Sequence, residues 1–182
     1  LWPDYERAYQ VIKARGHRVC AVSRHLLDRI APTGLGRVVA NGIVPAEWTE
    51  PGAPPDWLEA LPHPRILYTG AIHFRLDVDA VKQVAERFPQ GSVIFMGPVV
   101  SPEVGKALSL IPGVRLQEPV DSREVVAAVT SNVDVCIMPH HRNLLTESMS
   151  PLKIYEYCAA GRPVAATDIS PVRGIHSHVV LV

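Results

Sequence analysis

Lys153 stands where electrostatics disfavours it. Ser150-Pro151 reads as a helix start, with Ser150 as N-cap and Pro151 as the first helical residue, which makes Lys153 the third. A helix N-terminus already carries roughly half a positive charge, and Glu or Gln is the usual occupant of that position. A cation added to free backbone N–H groups makes sense where an anion is held. The plain alternative is a lysine reaching out to solvent, at a cost of about 0.3–1 kcal/mol.

A second cation lies early in the chain. Gly70-Ala71-Ile72-His73-Phe74-Arg75 places a small residue at a strand end and a guanidinium shortly after it. Glycine lets backbone approach a ligand, and arginine suits forked hydrogen bonding to phosphate. Arg75 could equally be a surface partner of Asp77 or Asp79. Glu156 lies on the same side of its helix as Lys153 and has two readings, a partner for that lysine or an acceptor for the hydroxyls of a ribose. His73 is either a contact to a bound sugar or an ordinary loop histidine.

The elements that must position these residues alternate clearly. Short apolar runs at residues 66–69, 93–96, 114–116, 133–138 and 163–167 read as five strands, several ending at glycine. Between them, residues 77–88 carry apolar positions three and four apart. Ser101-Pro102 opens a second helix, Asp121 caps a third with Glu124 three residues on, and Ser150 to Gly161 forms the last. Continuous apolar strands with helical crossovers predict a doubly wound parallel α/β sheet of Rossmann type. Such sheets bind ligands beyond the carboxyl ends of their strands, here loops 70–76, 97–101, 117–121 and 139–150.

Residues 1–46 predict a helix over 4–15, strands at 19–22 and 38–39, and a helix capped by Ser23 between them. That piece is too small to bury a core alone, and reads as the remnant of a preceding α/β domain. Residues 47–62 are rich in proline and read as a linker, with Trp48 and Trp57 expected to be exposed. Residues 63–182 form the main domain.

Composition excludes several classes. The 182 residues balance 18 Lys plus Arg against 18 Asp plus Glu, which gives no general attraction to nucleic acid or anionic membrane. No apolar run approaches the roughly 20 residues of a transmembrane helix, and no signal peptide is visible. Cys20, Cys136 and Cys158 read as buried free thiols, which points to a reducing, cytoplasmic setting. His140-His141 and His176-Ser177-His178 lack neighbouring Asp, Glu or Cys in ligand register, so no metal is expected. There is no Gly-x-Ser-x-Gly elbow, Gly-x-Gly-x-x-Gly turn or Walker loop.

Ser150-Pro151-Leu152-Lys153 followed by Glu156-Tyr157-Cys158-Ala159-Ala160-Gly161-Arg162-Pro163-Val164 resembles the donor-binding segment of retaining glycosyltransferases of the GT-B fold, family 4. Asn41-Gly42, Tyr68-Thr69-Gly70 and Met96-Gly97-Pro98 are similar to that family's other markers, in order. The likeness runs from about residue 17 to residue 173, and is greatest to the branch with Ser-Pro-x-Lys, often linked to polysaccharide or cell-envelope assembly.

The resemblance implies a nucleotide-diphosphate sugar donor, UDP first and GDP second, with no further cofactor and no metal. It implies that Arg75 and Lys153 stabilise the leaving diphosphate, that Glu156 orients the ribose, and that Gly70, His73 and Ser150 line the donor. The family commonly has two glutamates with seven residues between them. Counting back from Glu156 reaches Ser148, with Glu147 one position away, so Ser148 stands at the sugar-recognising position. The common Lys-Gly beyond the first-loop cation reads Leu76-Asp77. Family members run to about twice this length, so the expectation is the C-terminal half of a GT-B fold, incomplete at its C-terminus and inactive alone. A glycan or lipid-linked acceptor, and peripheral membrane contact, would involve the absent part. Three functions follow: a glycosyltransferase of hexosyl type, a GT-B-type sugar-nucleotide epimerase, or a non-catalytic nucleotide-binding module.

Overall fold

A computed structural model of the chain describes residues 3–31, 35–120 and 122–182. Its centre is a six-stranded sheet in the order β5-β4-β3-β6-β7-β8, parallel throughout. The strands are β3 Arg65–Thr69, β4 Ser92–Met96, β5 Val114–Gln117, β6 Val135–Met138, β7 Val164–Ala166 and β8 Val179–Leu181. Five lie where the apolar runs place them. The sixth, β8, was not among them: three residues at the sheet edge give too short a pattern to separate from a loop.

Side chains of β3 alternate between two cores, as the pleat requires. Ile66 and Tyr68 pack with Val93 and Phe95 beneath α5 (Val78–Arg87) and α6 (Pro102–Ser109). Leu67 packs with Ile94, Cys136 and Met138 beneath α7 (Arg123–Ser131) and α9 (Leu152–Ala159), which contribute Val129, Ile154 and Tyr157. β3 pairs with β4 on one side and β6 on the other, so the chain reverses its winding there. The loops after β3 and β6 are joined there: Leu76 and His140 form an antiparallel bridge, and Asp77 N donates to Pro139 O at 2.8 Å.

Helix starts differ in detail from the sequence reading. Asp77 caps α5 by accepting from Ala80 N at 3.0 Å. Ser101 precedes α6, but its hydroxyl donates to Glu103 Oε2 at 3.0 Å instead of accepting from the helix. Asp121 lies outside the described residues; the cap of α7 is Ser122, accepting from Val125 N at 3.5 Å. The stretch 139–150 contains a short helix, α8 (Leu144–Glu147), where a loop was expected. Asn143 and Thr146 cap it reciprocally.

The N-terminal residues form α1 (Pro3–Arg15), β1 (Val19–Ala21), α2 (Arg24–Ile30) and β2 (Gly36–Val38), with β1 and β2 in a two-stranded parallel sheet. Cys20 on β1 is exposed, unlike buried Cys136, so the expectation of three buried thiols fails at this residue.

The proline-rich stretch is docked onto the main domain. It holds α3 (Ala46–Thr49) and α4 (Asp56–Glu59). Trp48 is 2% exposed and packs against Ala127 on α7 and Ala160 behind α9. The small alanines leave room for an indole, so Trp48 is buried against expectation. Trp57 is partly buried on the main core, which also holds Leu58 and Leu61.

Candidate functional site

Beyond the carboxyl ends of β3 and β4 lies a cavity of about 420 Å³, within the usual range of small-molecule sites. Gly70 and Gly97 form its floor, Pro119 and Val120 one wall, and residues 149–153 with Glu156 the other. Gly97 has φ 150°, and a Cβ there would collide with the backbone oxygen of Gly70, so glycine lets the two strand ends meet.

α9 begins one residue later than the sequence suggested. Pro151 is its N-cap and Lys153 its second residue. Ser150 is drawn aside: its hydroxyl accepts from Asn41 N at 3.2 Å, and its carbonyl accepts from Asn41 Nδ2 at 2.8 Å. Lys153 still sits in the first helical turn, and it folds inward. Its Nζ lies 4.6 Å from the centroid of the Tyr68 ring, and a Cβ on Gly70 would be 3.4 Å from it. Among the described residues the Lys153 ammonium has no hydrogen-bond partner and no carboxylate within 4.0 Å. Burial first, then the Arg75 charge, push its ammonium down to about 8, with Glu156 opposing.

Arg75 pairs with neither Asp77 nor Asp79. Asp77 is engaged in capping α5 and lies 3.5 Å from His141 Nδ1. Arg75 Nη1 donates to Met149 Sδ at 3.4 Å, and its Nε is buried without a partner. Two cations therefore line one cavity, and neither has a carboxylate within 4.0 Å among the described residues. That is the electrostatic opposite of a stable apo arrangement and suits an anion with several oxygens.

Glu156 does not pair with Lys153. The cation within 4.0 Å is Arg123, at 3.9 Å, and Arg123 also contacts Glu47 at 3.3 Å. Burial raises the Glu156 carboxyl, against the lowering influence of Arg123 and Lys153.

Gly70, Arg75, Ser150, Lys153 and Glu156 thus line one cavity, while Ser148 and His73 are not in its lining. Ser148 ends α8, and its hydroxyl donates back to Leu144 O at 2.7 Å. It lines a neighbouring apolar cavity of about 700 Å³, with Tyr5, Phe74 and Leu144; Met149 is common to both cavities. Glu147 is also committed elsewhere: Oε1 accepts from Arg142 Nε at 2.9 Å and Oε2 from Ser170 N at 2.8 Å. His73 Nδ1 accepts from Arg75 N at 3.3 Å; burial, then the Arg75 and Lys153 charges, lower its pKa.

Asn41, Met149 and Tyr68 were not read as site residues. Tyr68 beside Gly70 carried the only available signal, an aromatic at the carboxyl end of the first strand. His140 lies just behind, 1% exposed, and burial with the Lys153 and Arg75 charges lowers it to about 3. Among the described residues no three His, Cys, Asp or Glu side chains form a metal-ligand group, and no helix is long and apolar enough to cross a membrane.

A doubly wound parallel sheet with a two-cation cavity beyond its strand ends is a Rossmann-like domain, a class that binds ligands at that end of the sheet. Residues 63–180 match the glycosyl transferases group 1 family, and the chain belongs to it. A 104-residue segment is 30% identical to the putative teichuronic acid biosynthesis glycosyltransferase TuaH of Bacillus subtilis (strain 168), covering 56% of this chain and 26% of that protein. Two solved structures share the fold. HepE of Anabaena, in complex with UDP-glucose, aligns with TM-score 0.64 and 15% identity over 98% of this chain and 55% of its own. Trehalose 6-phosphate synthase from Burkholderia multivorans aligns with TM-score 0.70 and 12% identity over 98% and 51%. The chain therefore spans about half of these structures and a quarter of the Bacillus relative.

Proposed function

We propose that this chain supplies the donor-binding half of a retaining glycosyltransferase that uses a nucleotide-diphosphate sugar. The observation that carries the reading is the pair of carboxylate-free cations, Arg75 and Lys153, lining one cavity beside Gly70. When the bond between the sugar's anomeric carbon and the diphosphate oxygen breaks, negative charge grows on the leaving diphosphate. Arg75, Lys153 and the free N–H groups at the start of α9 face that charge. They do the work that a metal does in other phosphate chemistry, so the reading assigns no metal and no further cofactor. Glu156 accepts from the ribose, and Pro119 and Val120 flank the base. HepE was solved with UDP-glucose, which favours UDP over GDP as the first nucleotide to try.

An acceptor hydroxyl, on a glycan or lipid-linked carrier, would approach from the apolar cavity across Met149. The Bacillus relative's assignment to teichuronic acid biosynthesis supports a cell-envelope glycan as product, and the reading places synthesis in the cytoplasm. A second reading, a module that binds nucleoside diphosphate without transferring sugar, is favoured by one feature. Ser148 turns its hydroxyl inward to Leu144 O, and Glu147 is tied to Arg142 and Ser170.

The test is thermal stabilisation of the protein by a panel of UDP, GDP, ADP and their sugars, followed by product analysis. Selective stabilisation by one nucleotide is expected. No stabilisation by any would contradict the donor site. Binding without transfer to any acceptor would favour the module, and conversion of the donor with no acceptor present would point to an epimerase.

A further inference from the structure

Lys153 lacks the carboxylate that normally accompanies an inward-turned lysine, and an aromatic ring takes its place. The ammonium lies 4.6 Å from the centre of Tyr68. A ring face attracts a cation through its quadrupole but carries no formal negative charge. A carboxylate at that position would hold the ammonium more strongly and also cancel it for any incoming anion. Gly70 makes the arrangement fit, since its missing side chain leaves the space beside Nζ open.

The ring itself is fixed. Tyr68 is 1% exposed and packs on Phe95 with ring centres 5.1 Å apart. Its hydroxyl donates its one proton to Ala71 O at 3.1 Å. The contact from that oxygen to His140 Nε2, at 3.4 Å, therefore requires His140 to donate, which places its proton on Nε2. This assignment agrees with His140 Nδ1 being buried without a partner.

We propose that Tyr68 is the positioning residue of Lys153: its ring seats the ammonium at the wall of the diphosphate cavity without neutralising it, and Ala71 and His140 hold the ring in place. This rests on the donor-site reading above. The charged and titratable groups around Lys153 are Arg75 and His73 from the loop after β3, His140 after β6 and Glu156 on its own helix. Of these only Glu156 favours the ammonium, and it lies beyond ion-pairing distance. Tyr68 is thus the stabilising group against which the ammonium rests.

The chain has four lysines, Lys13, Lys82, Lys106 and Lys153, so NMR of lysine labelled at the ε carbon can follow each one. In the unaltered protein the Lys153 ε protons should be shifted upfield by the Tyr68 ring current, and this reading needs no variant. Tyr68→Leu should lower the Lys153 titration midpoint by about one pH unit, a tenfold change in its protonation. Tyr68→Phe, which keeps the ring, should leave it in place. In UDP titrations Tyr68→Leu should lose more affinity at about pH 8.5 than at about pH 6.5. A cooperative thermal unfolding transition would show that the variant remains folded. A Tyr68 serving only as core packing would lower thermal stability and leave the Lys153 midpoint unchanged. That result, or the absence of an upfield shift in the unaltered protein, would overturn the proposal. Should the unaltered protein bind no nucleoside diphosphate, the donor-site reading falls, while the Lys153 resonance still decides the seat.

Discussion

Asn41 and Ser150 meet through two hydrogen bonds: the Asn41 backbone donates to the Ser150 hydroxyl at 3.2 Å, and its side-chain amide to the Ser150 carbonyl at 2.8 Å. These residues are far apart in the chain, and the pair ties the segment after β2 to the entrance of α9. Asn41 lines the cationic cavity at the same time. The pair therefore links the shape of the site to the placement of the N-terminal piece.

Asn41→Ala removes the amide bond and leaves the backbone one. Both are exposed, so the cost should be that of an ordinary hydrogen bond, about 0.5–1.5 kcal/mol in denaturant unfolding. UDP affinity should fall with it, because the first turn of α9 loses its tether. An unchanged unfolding midpoint would show that the tether is not used in solution.

Lys153 makes stability and donor affinity respond to pH in opposite directions. In the folded protein its pKa is about 8 against an ordinary 10.5. Between these values the unfolded chain binds more protons than the folded one, so stability should rise as pH increases through that window. UDP needs the ammonium, so affinity should be level below about pH 8 and fall above it. Lys153→Met should abolish both trends. Unfolding and calorimetric titrations across pH 7 to 10.5 would reveal them.

His140 predicts an acid sensitivity. Its folded pKa is about 3 against an ordinary 6.5, because the imidazole is buried next to two cations. Below 6.5 the unfolded chain takes up a proton that the folded one refuses. The stability supplied by this group is thus complete above 6.5 and lost as pH falls towards 3. His140→Gln retains a donor for Tyr68 and cannot titrate, so its unfolding midpoint should depend less steeply on pH in that range. An identical pH dependence in the variant would show that His140 does not set it.

Much of the architecture was legible because it rests on local patterns. Tyr68-Thr69-Gly70 and Met96-Gly97 read as strand ends, since apolar runs stop at glycines that the cavity requires. Lys153 drew attention because a cation is anomalous in a first helical turn. What could not be read depends on partners distant in sequence. Ser150 looked like an N-cap until Asn41 captured its hydroxyl. Trp48 looked exposed because nothing local announces the gap left by Ala127 and Ala160. Ser148 stands where a sugar-recognising glutamate is common, yet its hydroxyl closes α8 on Leu144 O. The role of Tyr68 was hidden for the same reason, because a strand aromatic reads as core until a lysine is found over its ring.

The central claim is that the Lys153 ammonium holds diphosphate. It is tested most directly by calorimetric titration of UDP into the unaltered protein and into Lys153→Met at pH 7. A hydrogen bond between charged groups contributes about 1.5–3 kcal/mol, so affinity should fall by roughly 10- to 150-fold. Equal affinity in the two proteins would contradict the account.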